Sequence, residues 1–141
     1  MNKNRLIITP IALAVLLMAS CVFARDAKLN SLISLFNTPP QPHLLYPISD
    51  KIVLTGKDSL EFRWWNDFSG VGHFIFKIYK GYNMYASDLL YKQDLPPDAS
   101  SIKIKSELFK DEQVYTWSLV MVSSGGQKSD KGFSSFKIIK K

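Results

Sequence analysis

The stretch VYTWSLVMV, residues 114–122, decides how this chain folds. Tyr115, Trp117, Leu119 and Met121 take every second position, and in an extended backbone alternate residues share one face. The period is two rather than 3.6, so the segment is expected to be a strand with one side turned into a core.

The same alternation recurs on both sides of it. In SLEFRWW (59–65), Leu60, Phe62 and Trp64 face one way while Glu61, Arg63 and Trp65 face the other. Phe74, Phe76 and Ile78 alternate with Ile75, Lys77 and Tyr79, and Ile102 and Ile104 alternate with Lys103 and Lys105. Leu89 to Lys92 is expected to form a short strand, and Phe136 and Ile138 carry the core face of a last one. Turn signals separate these runs: Asn66 to Gly72, Gly81-Tyr82-Asn83, Leu95-Pro96-Pro97-Asp98, and the polar loop from Ser123 to Gly132. Short strands with turns about every 8–12 residues predict an all-β fold, a sandwich or a barrel. The expectation is a seven-stranded antiparallel β-sandwich over residues 43–141. Its predicted core holds Phe62, Trp64, Phe74, Phe76, Tyr115, Trp117, Leu119 and Phe136.

With 141 residues the chain suits one domain, and 46% apolar with 13% aromatic residues is too much apolar mass for disorder. The formal charge is +6, and residues 25–141, without Lys3 and Arg5, keep 16 basic and 12 acidic groups, a net +4 carried mainly by lysines scattered along the chain. Nucleic-acid binders gather such charge into a stripe beside a recognisable motif, and neither is present. What the charge supports is a mild preference for anionic surfaces.

The N-terminus is composed as an address. A positive start, Lys3 and Arg5, precedes an apolar run from Leu6 to Met18 and then small residues, the order of a secretory signal. The run falls short of the roughly 20 residues a membrane-spanning helix needs. Two cuts compete in residues 1–24. Val22-Phe23-Ala24 fits ordinary signal peptidase, and Met18-Ala19-Ser20-Cys21 resembles a bacterial lipobox in which Cys21 would be lipidated. The first is the better match, because Met18 stands where the lipobox has leucine. In either case the folded part contains no cysteine and therefore no disulfide. Residues 25–42 form a tether in which Leu29, Leu32, Ile33 and Phe36 fall at helical spacing, and Thr38-Pro39-Pro40-Gln41-Pro42 ends it.

Residues 43–140 resemble a fibronectin type III or immunoglobulin-like domain in its bacterial surface-protein form. The proline-bounded opening from Pro42 to Pro47, the LEFRW run ending at Trp64, and the series Ser101 to Ile104, Leu108-Phe109 and Tyr115 to Leu119 carry the likeness. The resemblance implies that Tyr115 forms the corner that locks the loop before it by a side-chain to backbone hydrogen bond. It also implies core roles for Trp64, Trp117 and Leu119. Lys110-Asp111 stands where the family usually has Pro-Gly, and the last hairpin loop lacks an Arg-Gly-Asp tripeptide. This fold hosts many unrelated functions.

The residues that carry chemistry do not converge in the sequence. His43 and His73 are the two histidines, with no His-x-His, Cys-x-x-Cys or His-Glu-x-x-His spacing, so no metal site is expected. Gly70-Val71-Gly72 opens no helix and so cannot cradle a phosphate as a dinucleotide fingerprint does. No catalytic residue and no cofactor are expected. Surface aromatics are the stronger signal: Trp65, Tyr79, Tyr82 and Tyr85 are candidate ligand contacts, able to stack on sugar rings or anchor a protein. Open sheet edges offer another route, with the lysines around Ile102 and Ile104 protecting one of them. The sequence therefore suggests an exported, non-catalytic module, periplasmic, secreted or lipid-anchored, that binds a protein or glycan of the cell envelope. The alternatives are a structural spacer or assembly subunit, and an accessory subunit of an envelope enzyme.

Overall fold

The computed structural model describes residues 38–48 and 51–140. The expectations for the export segment 1–24, for Cys21 and for the helical spacing of Leu29 to Phe36 lie outside the described residues.

Eight strands are present among the described residues: β1 (Leu44–Tyr46), β2 (Lys51–Val53), β3 (Ser59–Trp64), β4 (Val71–Lys80), β5 (Leu89–Leu95), β6 (Ser101–Lys105), β7 (Val114–Ser123) and β8 (Gly132–Ile139). They form two sheets, β1-β3-β6 and β2-β8-β7-β4-β5. Two features depart from the expected seven antiparallel strands. The first strand is two short pieces in different sheets, because Pro47 follows β1 and offers no N–H to continue its ladder. The second piece, β2, then pairs with β8 in parallel, Ile52 opposite Ile138. The other departure is β5, which continues past Lys92 to Leu95.

The core is aromatic and centred on Phe62. Its ring meets Phe76, Trp117 and Phe136 edge-on at centroid distances of 5.1, 5.2 and 5.8 Å, and it touches Phe109 at 6.3 Å. Edge-to-face contacts suit the ring quadrupole, positive rim to negative face. Trp64 packs on Phe74, and Leu119 and Ile138 complete the buried layer. All eight predicted core residues are buried, together with Phe109 from the loop between β6 and β7. The alternation seen in the sequence is what fills this layer, since each strand sends its odd or even set inward.

Two side-chain hydrogen bonds tie loops to the layer. Trp117 Nε1 donates to the Pro47 carbonyl at 2.8 Å, anchoring the point where the chain leaves β1. The Lys110 amide donates to the Tyr115 hydroxyl at 2.7 Å, the tyrosine-corner contact. In the same loop the left-handed backbone falls on Glu112, at φ 57°, rather than on a glycine. The polar loop between β7 and β8 is a well-bonded hairpin: Gln127 N–H meets the Ser123 hydroxyl, and the buried Ser129 hydroxyl accepts from Met121 N–H.

Candidate functional site

The site is built along β8. Tyr115 and Trp117 of β7 pair with Phe136 and Ser134, which sets the phase of β8: Ser134, Phe136 and Ile138 point inward, so Phe133 points out. Phe133 is 59% exposed. Beside it runs an open groove of about 1300 Å³, walled by Gln41–Leu44 on one side and Tyr82 and Val114 on the other, with Ile48 and Lys51 at the margin. The volume exceeds the roughly 300–1,000 Å³ of small-molecule clefts and suits an extended chain of residues or sugars.

Each wall has a local cause. Gly132 lies so close to the Pro42 carbonyl that a Cβ there would stand 2.7 Å from it, so the entry segment can settle against the start of β8. Gln41 Nε2 adds a hydrogen bond to the Lys131 carbonyl at 2.9 Å. At the opposite wall, the Gly81 amide donates to the Val114 carbonyl at 2.8 Å with φ at 81°, a left-handed turn that swings Tyr82 toward the groove. Thr116 Oγ1 donates to the Gly81 carbonyl at 2.7 Å and holds the same turn from beneath.

The groove presents apolar surface with polar and basic edges. Ile48, Tyr82 and Phe133 are exposed at 45%, 73% and 59%. Lys51 and Lys137 are its charged lining residues, and no carboxylate lines it among the described residues. Lys137 pairs with Glu112, which holds its ammonium beside the groove. No cluster of His, Cys, Asp and Glu suited to a metal occurs among the described residues.

The candidate contacts named from the sequence do not gather in one place. Tyr82 lines the β8 groove. Trp65, 56% exposed, lines a separate depression of about 510 Å³ with Pro40, Asp67 and Met121; Gln41–His43 form a ridge common to both. Tyr85 is exposed on the loop between β4 and β5 and lines neither hollow. Tyr79 is a correction: it is 4% exposed and unavailable to a ligand. It sits on β4, an interior strand, with Thr116 of β7 on one flank and Leu89 of β5 on the other, so outward phase does not give exposure. Phe133 and Ile48 were not singled out in the sequence. Phe133 is legible in retrospect, three positions before the core-facing Phe136 and therefore out of phase with it.

Comparison places the fold among β-sandwiches. No protein-family model matches the sequence, and no curated protein matches it. A redesigned β-sandwich protein aligns at a TM-score of 0.52 and 16% identity, over 73% of this chain and 95% of its own. The spore cortex lytic enzyme SleM of Clostridium perfringens aligns at 0.50 and 13% identity, over 70% of this chain. This chain spans 28% of that enzyme's length. Fibronectin(III)-like modules of CbhA from Clostridium thermocellum align at 0.47 and 11% identity, over 71% of this chain and 98% of theirs. The protein is a two-sheet β-sandwich.

Proposed function

We propose that the chain is an exported, non-catalytic binding module whose β8 groove takes an extended protein or glycan segment of the bacterial cell envelope. One observation carries this reading: Tyr82, Phe133 and Ile48 leave their apolar surfaces exposed around a single groove rather than scattered singly. Exposed apolar surface rimmed by polar groups costs solvation in the free protein, and a bound partner recovers it. The exposed rings of Tyr82 and Phe133 suit sugar faces or a peptide side chain, and Lys51 favours a ligand that brings a carboxylate. The signal-like N-terminus supports export, with cleavage after Ala24 and release of Cys21 preferred over its lipidation.

The test is an array of envelope glycans and envelope-protein peptides probed with the protein and with its Tyr82→Ala/Phe133→Ala variant. Loss of the bound signal in the variant supports the groove as the site. Equal binding by both proteins would sink it.

A further inference from the structure

The sandwich has four sheet edges, and three of them are blunted. β1 and β2 are three residues each, and β1 is bracketed by Pro42 and Pro47. The β6 edge carries Lys103 and Lys105 on its outward side, so any second strand of the same kind meets lysine with lysine. Short length, proline and lysine are the usual means of keeping edges from pairing. The fourth edge, β5, is different. It is seven residues long, contains no proline, and exposes Leu89 and Leu90 at 37% and 42%.

Its charges are also arranged differently. Lys92 and Asp94 stand two positions apart on the sheet's outer side, with the exposed Gln93 between them. Within the molecule Lys92 lies directly opposite Lys77 of β4, and Asp94 lies opposite Ile75. Like charges placed opposite each other across strands are destabilising. Neither Lys92 nor Asp94 forms an ion pair among the described residues.

We propose that β5 is the pairing edge of a homodimer, in which a second copy adds its own β5 antiparallel with Gln93 on the two-fold axis. A two-fold axis perpendicular to the sheet keeps each residue on its own face, so residues whose numbers are equally far from 93 stand opposite each other. Lys92 of each copy then faces Asp94 of the other, twice, and each carboxylate relieves a Lys77–Lys92 pair. Tyr91 faces Leu95 on the inner side, extending the core layer across the junction. The neighbouring register, centred on Lys92, puts that lysine against itself, which selects the register at Gln93. Two five-stranded sheets become one of ten strands, and the edge backbone groups from Tyr91 to Leu95 find partners.

The proposal does not depend on the β8 groove, which lies at the other side of the same sheet. The experiment is sedimentation equilibrium on the protein expressed from the 141-residue sequence and purified as the cell processes it. Four proteins are compared: unaltered, Lys92→Asp, Asp94→Lys, and the double exchange. Both positions are exposed, so an unchanged far-UV circular dichroism spectrum and a single cooperative thermal transition show that each variant folds. A monomer–dimer equilibrium is expected, weakened about tenfold or more by each single reversal, restored by the double exchange, and weakened by salt. A monomer at every concentration up to about 1 mM, the weak end of specific association, overturns the proposal. So does a dimer indifferent to the single reversals, which would use another surface, or one that the double exchange fails to restore.

Discussion

The Lys110 amide and the Tyr115 hydroxyl are 2.7 Å apart, and that contact closes the loop between the two sheets onto the core. Tyr115 is 2% exposed, stacked on Phe136 and edge-on to Phe109, so its ring is fixed before its hydroxyl is placed. Removing the hydroxyl leaves the Lys110 N–H short of a partner while the ring stays packed. Tyr115→Phe is therefore expected to cost about 1–2 kcal/mol, the usual penalty for orphaning a part-buried donor. Urea denaturation measures it; an unchanged midpoint would mean that water replaces the hydroxyl without loss.

The two core tryptophans make a paired comparison. Trp117 Nε1 donates to Pro47, whereas Trp64 Nε1 is buried with no hydrogen-bond partner among the described residues. Substitution to Phe removes similar ring volume at both sites, but only at Trp117 does it orphan a carbonyl. Trp117→Phe is expected to be the more destabilising by about 1 kcal/mol or more. Guanidinium unfolding of the two variants decides it, and equal losses would contradict the role given to the Pro47 contact.

Gly132 and Gly56 test space against backbone conformation. A Cβ on Gly132 would stand 2.7 Å from the Pro42 carbonyl, which must move, so Gly132→Ala is expected to cost about 1–3 kcal/mol. Gly56 has open space around it but a φ of 67°, so Gly56→Ala is expected to cost about 1 kcal/mol from conformation alone. Calorimetric midpoints for both should fall in that order.

Groove residues should behave unlike core residues. Tyr82→Ala and Phe133→Ala are expected to shift stability by no more than about 0.5 kcal/mol, because both rings are mostly in water. Phe62→Ala, which empties the centre of the aromatic layer, is expected to cost about 3–5 kcal/mol. Thermal unfolding monitored by circular dichroism separates the two groups.

Processing of the N-terminus has a direct readout. Intact mass spectrometry is expected to give a chain beginning at Arg25. A mass carrying acyl chains on Cys21 would instead make the protein lipid-anchored.

The sandwich was readable because long strands announce themselves. In β3 and β7 large apolar residues at every second position, such as Tyr115, Trp117, Leu119 and Met121, mark the inward face. Three residues carry no such pattern, so the passage of the chain from β1 to β2, and the parallel pairing of Ile52 with Ile138, could not be read from Leu44–Tyr46 or Lys51–Val53. Phase also misleads about exposure, as Tyr79 shows: an outward residue on an interior strand is still covered from both flanks. The groove was the least legible feature. Its walls come from residues 41–44, 82 and 132–137, brought together by the hydrogen bonds of Gln41 and Gly81 rather than by anything local in the sequence.

The groove as a binding site is tested most directly by amide chemical-shift mapping of the labelled protein with the strongest array ligand. The account predicts perturbations concentrated on Gly132 to Lys137, Gln41 to Leu44 and Tyr82, saturating with ligand concentration. Perturbations confined to the Trp65 depression, or to the β6 face, would contradict it.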